Sequence, residues 1–173
     1  WTLAGQTLAH GQARRFAPTS ENHRQLAAQK ARGVADKAGV KRATLNDLQR
    51  WQQDATRTTY LFDVRTVEEF EAGHLPGARA TPGGQLVQET DHVASVRGAR
   101  LVLVDDDGVR ANMSASWLAQ LGWQVYVLDD LQAEHFSERG AWVAPVPPPP
   151  QAELISPHTL ADWLGHGDTQ VLD

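Results

Sequence analysis

The chain has 173 residues, 41% of them hydrophobic, which is enough for one domain of ordinary size with residues left for linkers. Its 16 basic and 21 acidic residues give a net charge of -5 with no basic cluster, arguing against a nucleic-acid partner, because phosphate contacts draw on clustered Lys and Arg. It has no cysteine, so disulfides, thiolate-metal sites and cysteine nucleophiles are excluded for these residues, and no apolar run approaches the ~18 residues of a membrane span.

Trp1 opens on polar, mixed sequence and not on a signal peptide, so the expected location is cytoplasmic, with no membrane partner. From Ser20 to Gly39 the sequence is rich in Ala, Gln, Lys and Arg behind a plausible N-cap, which predicts a polar helix whose few apolar residues make it a connector. A second helix is expected over residues 44–53, with Leu45, Leu48 and Trp51 on one stripe. Short apolar runs at 60–64, 100–105 and 124–128 read as strands buried on both faces of a parallel sheet. Helices are expected between and after them at 66–73, 110–121 and about 131–139, giving an open α/β domain. "APVPPPP" (144–150) is an extended polyproline spacer.

The chain also repeats itself. Leu48 and Trp51 recur as Leu160 and Trp163, and "LFD" ending at Asp63 recurs as "VLD" ending at Asp173, with the intervening loop two residues shorter. "WTLAG" (1–5) echoes "FSERG" (136–140), an aromatic four residues before a glycine. The absence of an initial methionine and the apolar ending "TQVLD" lead us to expect a piece of a longer polypeptide. The organisation expected is the end of a preceding repeat at 1–11, a helical linker at 12–42, a domain at 43–143, a Pro-rich linker at 144–152 and the start of the next repeat at 153–173.

"LFDVRTVEEFEAGHLPGA" (61–78) resembles the rhodanese-domain signature: a strand ending in Asp-x-Arg, a helix with Glu-Phe, then Gly-His-Leu-Pro-Gly-Ala. "GVRANMSASWLAQLGWQVYVLDDL" (108–131) is similar to the segment in which the rhodanese active-site loop leads into a helix, a Leu-Gly-aromatic turn and a strand. The resemblance implies a rhodanese-like parallel sheet flanked by helices. It also implies a family that carries sulfur from thiosulfate or another donor as a cysteine persulfide, with no cofactor, and other rhodanese repeats of the same polypeptide as partners.

The family's loop runs Cys-x-x-x-Gly-x-Arg or a near variant. Anchoring it on Gly108 and Arg110 makes Asp105, Asp106, Asp107, Gly108, Val109 and Arg110 the loop equivalents, with Asp105 at the cysteine position and no catalytic residue intact. Such a loop gathers backbone N–H groups and a helix N-terminus around an anion, a nest that a carboxylate can occupy without chemistry. Asp106 and Asp107 would repel an anionic donor, at roughly 3 kcal/mol per unit-charge pair for about 5 Å and an effective dielectric of ~20. Asp129 and Asp130 stand where the family has paired glycines. Asp63 and Arg65 are expected to be an ion pair fixing the loops around the site, and Arg110 either holds a bound anion or neutralises the neighbouring aspartates. The reading is a catalytically degenerate rhodanese repeat of a multi-domain sulfurtransferase, acting as scaffold or regulatory module.

Two alternatives belong to other classes. "VLVDDDGV" fits the Asp-x-Asp-Gly-Val motif of haloacid-dehalogenase-like phosphatases, which implies Asp105 as nucleophile and Asp107 as acid/base, both helping to bind Mg²⁺. That chemistry wants a downstream lysine, and all three lysines (Lys30, Lys37, Lys41) lie upstream. The other alternative is a protein-binding module whose emptied loop receives a basic side chain. The seven histidines never fall at a short metal-ligand spacing, so no metal is expected, and His74 belongs to the "GHLPGA" turn. Trp51, Trp117 and Trp123 are expected in the core.

Overall fold

Five parallel strands form the sheet, and the acidic loop lies at the C-terminal end of its central strand. The computed structural model describes residues 1–11, 17, 19–146, 154–167 and 169–171, and the chain divides into two compact units, Trp1–Trp142 and Val143–Asp173. In the first unit the elements run α1 (Glu21–Lys37), β1 (Lys41–Ala43), α2 (Leu45–Gln53), β2 (Thr59–Asp63), α3 (Val67–Ala72), β3 (Arg79–Ala80), α4 (Gly83–Gln88), α5 (Thr90–Val93), β4 (Arg100–Val104), α6 (Arg110–Gln120) and β5 (Gln124–Leu128). The strand order is β1-β5-β4-β2-β3, every pair parallel. The fold is therefore α/β, and the sites of such folds lie where this loop does, beyond the carboxyl ends of the strands.

The expected central strands are present because their residues can be covered on both sides. Leu101 and Leu103 face one apolar cluster with Phe62, Val64, Leu86 and Leu118, while Val102 and Val104 face the other with Leu48, Leu61, Phe70 and Leu75. All four residues of β4 from Leu101 to Val104 are fully buried, each contributing roughly 1.5–3 kcal/mol by removal from water. Helix α2 starts at a capping box in which Thr44 and Asp47 exchange side-chain and backbone bonds, and its Trp51 ring tilts against Tyr126 at 4.5 Å.

Three expectations fail for identifiable reasons. The helix expected at about 131–139 is only a 3-10 turn at Ala133–His135; the segment instead pairs back through Glu138, which bridges His74. Strands β1 and β3, two or three residues long, and the short helices α4 and α5 carry too little periodicity to be read. Helix α1, expected as a connector, packs on α6: Ala31 and Ala35 are buried, and Ala35 sits in the core with Phe62 and Leu118. The helix's small alanine face made it look polar while permitting close approach. Trp117 departs from its expected core position and is 57% exposed.

In the second unit, α7 (Pro157–His166) begins at Ser156, whose hydroxyl accepts the Thr159 N–H at 3.1 Å. Leu160 and Trp163 lie four and seven residues after the cap, the same places that Leu48 and Trp51 hold after Thr44 in α2. Leu154, Trp163 and Leu164 are exposed. Of the strand expected to end at Asp173, residues 169–171 are described and form no strand, while 172–173, like the prolines at 147–150, lie outside the described residues.

The packing of α1 generates a test. Ala35→Leu should lower the stability measured by urea unfolding by about 1–3 kcal/mol and move its midpoint down, because a fully buried alanine between α1 and the core has no room for three more carbons. An unchanged midpoint would mean that α1 does not pack on the domain in solution.

Candidate active-site loop

The loop begins where β4 ends and closes at the first turn of α6. Gly108 has φ 67°, in the left-handed region, so that the chain can turn back toward the helix, and a Cβ built there would stand 3.3 Å from Ala28 Cβ on α1. The turn aims backbone donors inward, and carboxylates of the loop take them. Asp105, almost fully buried, accepts the Gly108 N–H at 3.1 Å and the Ala111 N–H at 2.8 Å. Asp107 accepts the N–H groups of Val109 at 2.7 Å and Arg110 at 3.1 Å. Three orphan donors at the start of a helix, and the N–H just before its cap, are thus satisfied by two side chains of the same loop.

Cations surround these acids. Arg110 bonds to Asp107 at 2.8 Å, to Asp106 at 2.9 Å and to Glu69 of α3. Arg65, also buried, grips fully buried Asp63 at 2.7 Å, reaches Asp106 at 3.2 Å and donates to the Gly73 carbonyl at 2.6 Å. Its guanidinium lies over the Phe136 ring at 4.4 Å. The expected Asp63–Arg65 pair is therefore present, and Asp106 links it to Arg110. Of the two readings of Arg110, the geometry has it neutralising its acidic neighbours. Consequently Asp106 and Asp107 are compensated charges, and their repulsion of an anion is smaller than bare carboxylates would exert.

Of the residues flanking this cluster, Asp129 and Asp130 stand out in the sequence, but Glu69, Asn112, Arg32 and Arg42 do not. Glu69 is the far end of a capping box with Thr66, a Thr-x-x-Glu pattern that was legible but read only as part of a helix. Asn112 donates to the Gly108 carbonyl at 2.8 Å and accepts from Arg42 at 2.7 Å, and nothing local in sequence marked either residue. Asp129 is held by Arg32 of α1 at 2.9 Å and lies 3.8 Å from Arg42. Asp130 has φ 60°, the conformation in which a glycine would be unstrained. Beside the loop opens a cleft of about 640 Å³ whose lining includes Arg65, Asp105, Asp106, Asp130, Leu131 and Phe136. Among the described residues no group of three or more His, Asp or Glu is arranged to hold a metal ion.

Burial, and then the hydrogen bond to the neighbouring Asp107 carboxylate, push the Asp105 carboxyl up to about 7, against the opposing pull of the Ala111 and Gly108 N–H groups. Asp107 is held below its ordinary value: burial opposes this, but the Asp105 bond and the two backbone donors outweigh it. Because Asp105 is raised in the folded state, its contribution to stability is complete below about pH 4 and is lost as pH rises toward 7. Urea unfolding should therefore show higher stability at pH 5.5 than at pH 8, with a slope of up to about 1.4 kcal/mol per pH unit from this group. Asp105→Asn should flatten the profile over this range; an identical slope in the variant would exclude Asp105 as its source.

Residues 44–130 match the Rhodanese-like domain family. A crystal structure of a thiosulfate sulfurtransferase from Pseudomonas aeruginosa is 72% identical, with a TM-score of 0.80 over 95% of this chain and 31% of that one. More distant are a Bacillus halodurans protein, 22% identical with a TM-score of 0.43 over 58% of this chain and 74% of that one, and the Bacillus anthracis CoADR-RHD, 21% identical with a TM-score of 0.48 over 73% and 21%. No curated protein matches the chain. The chain spans about a third of the Pseudomonas sulfurtransferase. With half of its residues in the family match, and with the sheet order and loop position described above, this chain belongs to the rhodanese-like domain family.

Proposed function

We propose that the domain is a catalytically degenerate rhodanese repeat serving as scaffold or regulatory module within a multi-domain thiosulfate or sulfane sulfurtransferase. One observation carries the reading: the N–H nest that would hold a persulfide sulfur is occupied by Asp105, in a chain without any cysteine. A carboxylate satisfies the donors and keeps the loop folded, but it cannot accept a sulfane sulfur. In this reading Asp105, Asp106, Asp107, Gly108, Val109 and Arg110 are the equivalents of the active-site loop, with Asp63 and Arg65 as its supporting ion pair.

The tandem arrangement draws on three further observations. The similar sulfurtransferase is about three times as long as this segment. Helix α7 repeats the cap, leucine and tryptophan register of α2. Its apolar residues Trp163 and Leu164 are exposed, as they would be on a helix whose own sheet is supplied by further chain. Residues 153–173 are then the start of the next repeat, 144–152 a linker, and 1–11 the end of a preceding repeat. Other rhodanese repeats of the same polypeptide are the partners, and they hold any catalytic cysteine. Among the described residues no helix is long and apolar enough to cross a membrane.

The chain incubated with thiosulfate and cyanide should give no thiocyanate above background; clear turnover would refute the reading. Asp105→Cys should give weak activity at most. Adding Asp106→Asn and Asp107→Asn should raise it on the order of tenfold at low salt, since two negative charges beside the donor are removed and Arg65 and Arg110 keep only Asp63 and Glu69 as acidic partners, with the gain shrinking as salt screens it. Equal activity of the single and triple variants would leave the missing sulfur atom as the whole explanation. Mg²⁺-dependent phosphatase activity abolished by Asp105→Asn would instead establish the haloacid-dehalogenase alternative.

A further inference from the structure

Helix α6 has two faces, and the described domain uses one of them. Ala111, Ala115 and Leu118 are fully buried against the sheet and against α1 and α4. The opposite side presents Met113, Trp117 and Leu121, spaced i, i+4 and i+8, which are 38%, 57% and 60% exposed. From Ala111 through Leu128 the sequence contains no charged residue. The contrast is with α1, whose exposed surface carries Glu21, Arg24, Lys30, Arg32, Asp36 and Lys37. A solvated helix face ordinarily has such charges on it. At the end of the stripe Leu121 borders a notch of about 70 Å³ formed with Arg97, Gly98, Gly122 and Trp123. Tryptophan and methionine on an uncharged ridge beside a notch are the residue types and relief that protein interfaces concentrate at their centres.

We infer that the Met113–Trp117–Leu121 ridge is a docking surface for another rhodanese-like domain of the same polypeptide. The inference rests on the tandem reading above and says which face is used. The occupant is argued from the length of chain outside this segment: the 72% identical sulfurtransferase continues for about twice the length matched here. A domain joined by a short linker meets its neighbour at an effective concentration in the millimolar range, so a ridge of three apolar side chains is sufficient where it would be too small for a stable dimer of separate chains. The loop and the ridge also share one helix. Arg110, Ala111 and Val109 anchor the loop at the start of α6, and Met113 follows within one turn, so a neighbour seated on the ridge would bear on the element that holds the acidic loop.

The test uses the full-length polypeptide. Hydroxyl-radical footprinting with residue-resolved mass spectrometry should find Met113 and Trp117 oxidised at least fivefold more slowly than their exposure within this domain requires, at concentrations where sedimentation shows a monomer. Trp117→Glu should leave the thermal transition of this domain in place. It should also raise the rate of proteolytic cleavage at 144–152 severalfold and enlarge the radius of gyration in solution scattering. Rates matching the free exposure of both residues would overturn the inference while leaving the tandem reading intact, provided limited proteolysis still releases further compact domains. Protection that appears only at concentrations where the polypeptide self-associates would assign the ridge to a second copy and overturn it too. If proteolysis and sequence reveal no second rhodanese-like domain, it is the tandem reading that fails.

Discussion

The first turn of α6 offers N–H groups that have no partner within the helix, and the structure around the loop is arranged to satisfy them. Asp105 and Asp107 do so from the same loop, which sets the buried Asp105 carboxyl beside the more exposed carboxylate of Asp107. Like charges so close cannot both be comfortable, and the strain is relieved in two ways. Asp105 holds its proton toward neutral pH, and Arg110 brings a positive charge to Asp107. Everything else near the loop follows from keeping Arg110 and its counterpart Arg65 in place.

Asp106 is the bridge between those two cations. Arg65 is committed to Asp63 at the end of β2 and to the Gly73 carbonyl after α3, while Arg110 reaches Glu69 within α3. The loop is thereby tied to two neighbouring segments by charge-assisted bonds, of which the Asp63–Arg65 pair is shielded from water and the others are partly exposed. A loop holding a sulfur anion would need some of this positive charge free. Here the protein's own acids take up that charge.

Helix α1 ties the opposite side. Ala28 abuts Gly108, Arg32 holds Asp129, and Ala31 and Ala35 press on α6, so the helix fastens both the loop and the turn after β5. Glycine is suited to position 108 on two counts, its positive φ and the nearness of Ala28. The same α6 that is covered by α1 and α4 on its inner sides leaves Met113, Trp117 and Leu121 outward, an asymmetry the domain's own packing does not explain.

The sequence by itself determined the class of fold, the three central strands, the helices near 44–53, 66–73 and 110–121, and the position of the acidic loop. Those features depend on local pattern: continuous apolar runs for strands covered on both faces, and Asp-x-Arg or Gly-x-Arg at strand and helix ends. It also determined that no thiol chemistry is available within these residues. Tertiary structure alone decided the long-range polar pairings, because Arg65 with Asp106, Arg110 with Glu69, Arg32 with Asp129 and Arg42 with Asn112 each join residues at least 41 positions apart. It likewise decided that α1 belongs to the core and that Trp117 does not. Helical periodicity tells which side chains share a face, but only the neighbouring elements determine whether that face is covered.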